Sequence, residues 1–303
     1  MNFVSWAFII LFLVVLAARL TIGRRKTEPA YEGVLIVAGA VFYAWHVPVF
    51  LLILLASTSV DYWAALLLFR TPDHQRTRRL LILLVSLGTN LGLLGVFKYG
   101  DLALRAVGDM AEFFQLGPRP GTLGWVLPIG ISFYTFEAMS YTIDVYRKDL
   151  PPLRSFPRFF LFISFFPHLV AGPIVRAGQF LPQISRPRRL AWPVVSEGVW
   201  LLTTGFFLKM VCADNIAQYV DAYWPRGYAA DTDATMAGWL ALMFSAQIFA
   251  DFAGYSNIGR GAAFLLGYRL PVNFNAPYIA GSFKGFWERW HITLSQWLRD
   301  YLY

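Results

Sequence analysis

Histidine is the side chain whose ordinary pKa lies nearest neutral pH, which makes it the natural base for taking a proton off a hydroxyl. The sequence has four: His46, His74, His168 and His291. His46 and His74 read as loop residues. His168 lies between Pro167 and an Ala171-Gly172-Pro173 turn, where it either lines a cavity or caps a half-helix. His291 lies in residues 282–303, SFKGFWERWHITLSQWLRDYLY. Phe283, Phe286, Trp287, Trp290, Leu294, Trp297, Leu298 and Tyr301 recur there at helical spacing and form one stripe. Lys284, Glu288, Arg289, Gln296 and Arg299 lie off it. The pattern predicts one amphipathic helix at a membrane interface, running to Tyr303, with His291 on the rim of its aromatic face.

Ionisable groups inside apolar runs are the second chemical signal. Asp61, Glu137, Lys209 and Asp251 are each costly in lipid and must face protein or a wet cavity. Buried ion pairing that fixes helix packing is the expectation for Asp61 and Lys209. For Asp251, packing and function both remain open. Asp144 is placed to pair with Arg147 or Lys148 one helical turn on. Familiar soluble motifs are absent. Gly254-Tyr255-Ser256-Asn257-Ile258-Gly259 lacks the G-x-S-x-G spacing, and no Walker loop, H-E-x-x-H or dinucleotide fingerprint occurs. No His has an Asp five residues on, so the His-and-Asp acyltransferase box is missing too. The single cysteine, Cys212, excludes an internal disulfide and a cysteine-based metal site, and no metal ligand set is expected.

The elements that must carry these groups are membrane helices. Hydrophobic residues make up 57% of the 303, and charged residues 15% against about 25% in soluble domains. A soluble globule of this size cannot hide that much apolar surface behind a polar exterior. A soluble enzyme, a disordered chain and a nucleic-acid binder are therefore excluded, despite a net charge of +8. The expectation is an all-α, polytopic membrane helical bundle forming a single domain. Spans are predicted near residues 3–20, 33–45, 49–69, 80–97, 125–146, 195–223 and 235–252, the last running on as helix to about Gly267. Residues 33–45 are short for a crossing, which takes about 20 residues. Residues 101–116 read as a separate amphipathic surface helix. Residues 159–175, interrupted by Pro167, Gly172 and Pro173, read as a re-entrant segment, tolerated only where protein or water lines it.

Charge supports the layout. With the N-terminus outside, the stretches 19–32, 70–79, 147–158 and 176–189 face the cytoplasm. They hold sixteen of the 26 basic residues, and the opposing stretches hold only Lys98, Arg105, Arg119 and Arg226. The positive charge then serves cytoplasmic loops and lipid headgroups rather than an acidic partner. No internal repeat is visible, which argues against a transporter built from inverted repeats.

Three blocks carry a resemblance. The first is residues 127–136, LPIGISFYTF, with 141–147, YTIDVYR. The second is residues 166–176, FPHLVAGPIVR. The third comprises residues 251–258, DFAGYSNI; 273–278, NFNAPY; 286–295, FWERWHITLS; and 297–303, WLRDYLY. Together they resemble the membrane-bound O-acyltransferase family, nearest its bacterial branch that O-acetylates exported polysaccharides such as alginate. The resemblance implies a polytopic acyltransferase in the bacterial inner membrane. An acyl donor, acetyl-CoA, arrives from the cytoplasm, with no cofactor bound. The hydroxyls of an exported polysaccharide are served on the other side with periplasmic partner proteins. His291 matches the first of the family's two site histidines and takes a supporting or positioning role. Asp251, Tyr255, Asn257, Arg289, Trp290 and His168 become candidates for the substrate channel. The histidine assigned as catalytic in the family lies in a later apolar helix with a Trp-His-Gly pattern. No such pattern occurs in these 303 residues. The expectation is therefore a chain cut short at Tyr303, with the main catalytic histidine beyond it. Transfer of D-alanine to teichoic acid, in the same family, and a non-enzymatic transporter using the intramembrane charges are the alternatives.

The topology is testable. In a Cys212→Ser background, Ala106→Cys should react with an impermeant thiol reagent on intact cells, and Gln75→Cys should not. Preferential labelling at position 75 would invert the layout.

Overall fold

The computed structural model describes residues 1–22, 29–115, 121–170, 172–185, 187–224 and 233–303. Leu116, Ala171 and the basic residues Arg24, Arg25, Lys26, Arg119, Arg186 and Arg226 lie outside the described residues. Every regular element among the described residues is helical. The chain is an all-α polytopic membrane protein.

The apolar runs become α1 (Trp6–Thr21), α2 (Pro29–Ala44), α3 (Val49–Arg70) and α4 (Arg76–Phe113). Ser5 caps α1, its hydroxyl accepting from the Phe8 amide at 3.3 Å. α4 is one helix of 38 residues, so the separate surface helix expected at 101–116 is the continuation of the helix through 80–97. Nothing in α4 breaks the backbone ladder: it contains no proline, and Gly88, Gly92 and Gly95 meet open space.

α5 (Ile131–Arg147) begins later than the expected 125–146. Pro128 and Gly130 fix the start. Gly130 adopts φ 78°, and a Cβ there would lie 2.3 Å from the Leu169 carbonyl oxygen, so glycine alone fits. The interrupted stretch 159–175 contributes the end of α6 (Phe156–Ser164) and the single turn α7 (Phe166–Leu169), and residues 173–176 carry no regular element before α8 (Ala177–Ile184). Phe159, Phe162, Phe165, Phe166, His168 and Phe180 are all fully buried. Protein therefore surrounds the described part of the break. Arg158 anchors α6 to α2 through a two-pronged pair with Glu32, both contacts at 2.9 Å.

The expected helix at 195–223 is present but not uniform. α9 (Trp192–Phe206) runs into a π-helix, Phe207–Ala213, and then α10 (Asp214–Tyr223). Opposite lies α11 (Ala234–Leu265), the most extensive partner of α9. Gly198 and Gly205 on α9, and Gly254 and Gly261 on α11, are each two turns apart and interlock. A Cβ on Gly254 would come 2.9 Å from the Lys209 amide nitrogen. One on Gly261 would come 2.7 Å from the Gly198 carbonyl oxygen. Without side chains the two backbones meet directly, the usual means of helix association in lipid. The expected helix at 282–303 is two helices, α12 (Phe283–Trp287) and α13 (Ile292–Tyr301), turned against each other at His291. Tyr303 falls outside α13. Its amide still donates to the Leu298 carbonyl at 3.3 Å, but its side chain is fully exposed.

Among the described residues, four segments are long and apolar enough to cross a membrane: Val49–Arg70, Arg76–Phe113, Trp192–Tyr223 and Ala234–Leu265. Their outward faces expose large apolar side chains such as Trp63, Phe69, Trp200, Trp239 and Leu242. Such a surface is stable only where the surrounding solvent is lipid. Polar groups point inward instead. The Asp61 carboxyl on α3 accepts from the Asn90 amide at 2.8 and 2.9 Å and from the Ser86 hydroxyl, both on α4. It is satisfied by hydrogen bonds, not by the ion pair expected from sequence. Lys209 does form ion pairs, at 2.6 Å to Asp214 and 2.7 Å to Asp251.

The glycine interlock sets a stability expectation. Gly254→Val should lower stability by about 1–3 kcal/mol or more, because the neighbours it strikes are backbone atoms. Gly92→Ala, where α4 has open space, should be neutral or stabilising by up to about 1 kcal/mol. Thermal unfolding in detergent checks both, and a tolerated Gly254→Val would refute the interlock.

Candidate functional site

Four segments converge on His291. α11 presents Phe252 and Ser256 one turn apart. The chain after α11 runs without regular secondary structure through Asn273 and Phe274. The turn between α12 and α13 supplies His291, and the first turn of α13 supplies Thr293. The irregular stretch before α8 supplies Ile174 and Val175.

The Asn273 carboxamide binds these together. Its Oδ1 accepts from Thr293 Oγ1 at 2.9 Å, from the Thr293 amide at 3.3 Å and from His291 Nδ1 at 3.1 Å. Its Nδ2 donates to Ser256 Oγ at 3.3 Å. Thr293 Oγ1 in turn accepts from the Ile174 amide at 3.0 Å. Asn273 is turned the right way for this, because Oδ1 meets hydrogen donors and Nδ2 meets a hydroxyl oxygen. An amide oxygen cannot donate, so Nδ1 of His291 must carry the proton. That fixes the tautomer and leaves the lone pair on Nε2. No hydrogen bond within the described residues engages Nε2. A neutral imidazole oriented through one nitrogen and free at the other is the arrangement a base or a hydroxyl-positioning group requires.

The backbone and the surrounding rings hold that orientation. His291 adopts φ 42°, ψ 52°, a left-handed conformation uncommon outside glycine. Two main-chain hydrogen bonds lock it: the Ile292 amide to the Asn273 carbonyl and the Asn275 amide to the Arg289 carbonyl, both at 2.9 Å. Strain of this kind persists where the surroundings over-determine it, commonly at functional sites. Phe252 sets its edge against the imidazole at 4.7 Å between ring centroids, and Phe133 and Phe274 flank it at 6.4 Å. His291 is thus buried, and the expected place on the rim of an aromatic stripe does not hold. The helical run breaks at 288–291, so residues before and after it no longer share one helical face.

α13 is docked by its own aromatic side. The Trp297 indole donates to the Phe136 carbonyl at 3.0 Å, and the Tyr301 hydroxyl to Asp144 at 2.8 Å. Asp144 therefore pairs with Tyr301, not with Arg147 or Lys148 as the sequence suggested. Arg176 forms an ion pair with Asp300, and Arg147 donates to the Asp300 carbonyl at 2.9 Å.

The other candidates divide. Trp290 stacks on Phe286 at 5.6 Å and meets Phe274 edge-on at 5.1 Å, so it walls the loop that carries Asn273. Arg289 reaches the Asn275 carbonyl at 3.4 Å and holds the same loop. Asp251 and Tyr255 belong to a second cluster: Lys209 bridges Asp251 and Asp214 and lies 5.3 Å from the centre of the Tyr255 ring. The Tyr255 hydroxyl donates to Asn2 at 2.7 Å. Among the described residues no hydrogen bond or ring contact joins either to His291. Asn257 is half-buried on α11 and takes part in neither cluster. His168 is fully buried, with Nε2 at 3.0 Å from the Phe162 carbonyl and 3.5 Å from Glu137. Tyr303 is exposed and belongs to neither cluster. Ser256, Asn273 and Thr293 escaped the sequence reading. Their only signal was a polar residue inside an aromatic block, and a neutral hydroxyl or amide in such a block reads as a turn former.

Burial pushes the His291 imidazole from its ordinary 6.5 down to about 4. Between those values the unfolded chain binds a proton that the folded chain does not, so this histidine's contribution to stability falls as pH drops from about 6.5 towards 4. His291→Gln should flatten that part of the profile. Unfolding temperatures of the parent and of His291→Gln in detergent from pH 7.5 to 4.5 check it; parallel profiles would contradict a neutral, buried imidazole.

Comparison with known proteins is consistent with this geometry. Residues 146–303, which include the whole α11–α13 region, match the MBOAT, membrane-bound O-acyltransferase family. The chain is 40% identical to the probable alginate O-acetylase AlgI of Pseudomonas putida over 89% of its length and 54% of the relative's. It is 38% identical to the probable alginate O-acetylase AlgI of Azotobacter vinelandii over 100% of this chain and 59% of the relative. To the peptidoglycan O-acetyltransferase of Helicobacter pylori it is 34% identical over 89% of this chain and 54% of the relative. The chain thus spans about half the length of the curated relatives it matches. More than half of its own length falls within the matched family region, and the chain belongs to the membrane-bound O-acyltransferase family.

Proposed function

We propose that the protein serves membrane O-acyl transfer, moving an acetyl group from cytoplasmic acetyl-CoA to hydroxyls of an exported polysaccharide such as alginate. The observation that carries this reading is the His291 network: a buried imidazole with its proton held on Nδ1 by Asn273 and its Nε2 lone pair unengaged. Names of relatives support it, since they denote O-acetylation of alginate and of peptidoglycan. The proposed setting is the bacterial inner membrane, with the N-terminus outside and periplasmic partner proteins handling the acceptor.

The chemistry is a transesterification. The acceptor hydroxyl loses its proton to an imidazole, its oxygen bonds to the acyl carbon, the carbon–sulfur bond of the thioester breaks, and the departing thiolate takes the proton. His291 is assigned the positioning part of this step, its Nε2 accepting a hydrogen bond from the acceptor hydroxyl. Burial among Phe133, Phe252 and Phe274 keeps water, a competing nucleophile, away from the imidazole. The transporter alternative loses its motive, because Lys209 and Asp251 are paired with each other and Asp61 is hydrogen-bonded.

Introduced at the chromosomal locus, His291→Ala should cut ester-linked acetate on the exported polysaccharide by about 10²–10⁴-fold at matched membrane expression. Lys284→Ala, whose side chain is exposed and off the site, should stay near native. Equal, near-native acetylation in both variants would refute the role of His291. Intact acetate with loss of ester-linked D-alanine would point instead to teichoic acid as acceptor.

A further inference from the structure

Glu137 is a buried carboxyl that the proposed chemistry does not use. It projects from α5 with 1% of its surface exposed. Its Oε1 accepts from the Val175 amide at 2.8 Å, and its Oε2 faces His168 Nε2 at 3.5 Å. The amide of the preceding residue, Ile174, donates to Thr293 Oγ1 at 3.0 Å, and Thr293 donates to the Asn273 oxygen that orients His291.

Residues 173–176 have no regular secondary structure, and the successive amides of Ile174 and Val175 donate to different partners, Thr293 and Glu137. One peptide segment is thus clamped between Glu137 on one side and the Asn273–Thr293–His291 network on the other. Ile174 and Val175 are buried, so water cannot replace either partner. Withdrawing the acceptor from Val175 leaves a buried amide unpaired, and the segment relieves that only by moving. Any such movement drags the Ile174 amide off Thr293.

We propose that Glu137 is a positioning residue for His291, acting through the Ile174–Val175 segment. The role in transfer rests on the functional reading above; the mechanical link does not. A simpler role, an ion pair between Glu137 and His168, makes opposite predictions. Glu137→Gln keeps an oxygen acceptor for Val175 but abolishes the charge. Glu137→Asp keeps the charge but withdraws the acceptor by one methylene.

The experiment measures, in native membranes, the rate at which diethyl pyrocarbonate modifies His291, read by mass spectrometry of its peptide, alongside polysaccharide acetylation. Expected for Glu137→Asp are modification about fivefold faster and acetylation about tenfold lower, with Glu137→Gln within about twofold of the parent in both. Thr293→Val should behave like Glu137→Asp, and the double variant should fall no more than about threefold below the worse single, since both act through one link. Independent, multiplying losses would overturn the proposal. So would an impaired Glu137→Gln beside a native-like Glu137→Asp, the pattern of a simple ion pair. Because the modification rate needs no turnover, a change there with no loss of acetylation in His291→Ala would sink the functional reading and leave the mechanical link standing. An unchanged rate in Glu137→Asp would remove the link itself.

Discussion

One side-chain amide holds the C-terminal third of this molecule together. Asn273 is a neutral residue in an irregular loop, yet its carboxamide meets α11 through Ser256, α13 through Thr293 and the turn between α12 and α13 through His291. Its own carbonyl takes the Ile292 amide, which keeps His291 in its left-handed conformation. In a low-dielectric interior, a fully satisfied polar network specifies one arrangement, because any alternative strands a buried donor or acceptor. The identity of the imidazole tautomer follows from the same amide, since its oxygen can only accept.

The wider constraint is the solvent. Lipid offers no hydrogen bonds, so the chain turns its apolar residues outward and its polar ones inward. Asp61, Ser86 and Asn90 tie α3 to α4 where a soluble protein would place Leu or Val. Lys209, on the π-helix, bridges the two carboxylates Asp214 and Asp251. The broken stretch after α6 lies among the buried rings of Phe159, Phe162, Phe165, Phe166 and Phe180.

Helix association obeys the same rule by different means. Apolar burial cannot drive α9 onto α11 in lipid, since the hydrocarbon is as apolar as leucine. The two helices instead bring backbone to backbone at Gly198, Gly205, Gly254 and Gly261. That close approach sets the position of α11, and so of Phe252 and Ser256 beside His291.

Much of this was determined by sequence alone. Composition settled the solvent, and apolar runs of sufficient length located helices at 3–20, 33–45, 49–69 and 235–252, because local hydrophobicity is a property of the chain itself. Proline and glycine marked the break in 159–175. The block from Phe286 to Ser295 drew attention to His291. The tertiary structure decided what such patterns cannot encode. A helical stripe continues in sequence across His291, but the helix breaks there, with Asn273 taking the Ile292 amide, and a rim residue becomes a buried one. Asp144 had two basic neighbours one turn away and took Tyr301 instead, since α13 packs over the end of α5. Ser256, Asn273 and Thr293 are separated by up to 37 positions in the chain and have no periodicity of their own. Their meeting depends on how α11, the loop and α13 pack, and hydrogen bonds between distant segments leave no trace in local spacing.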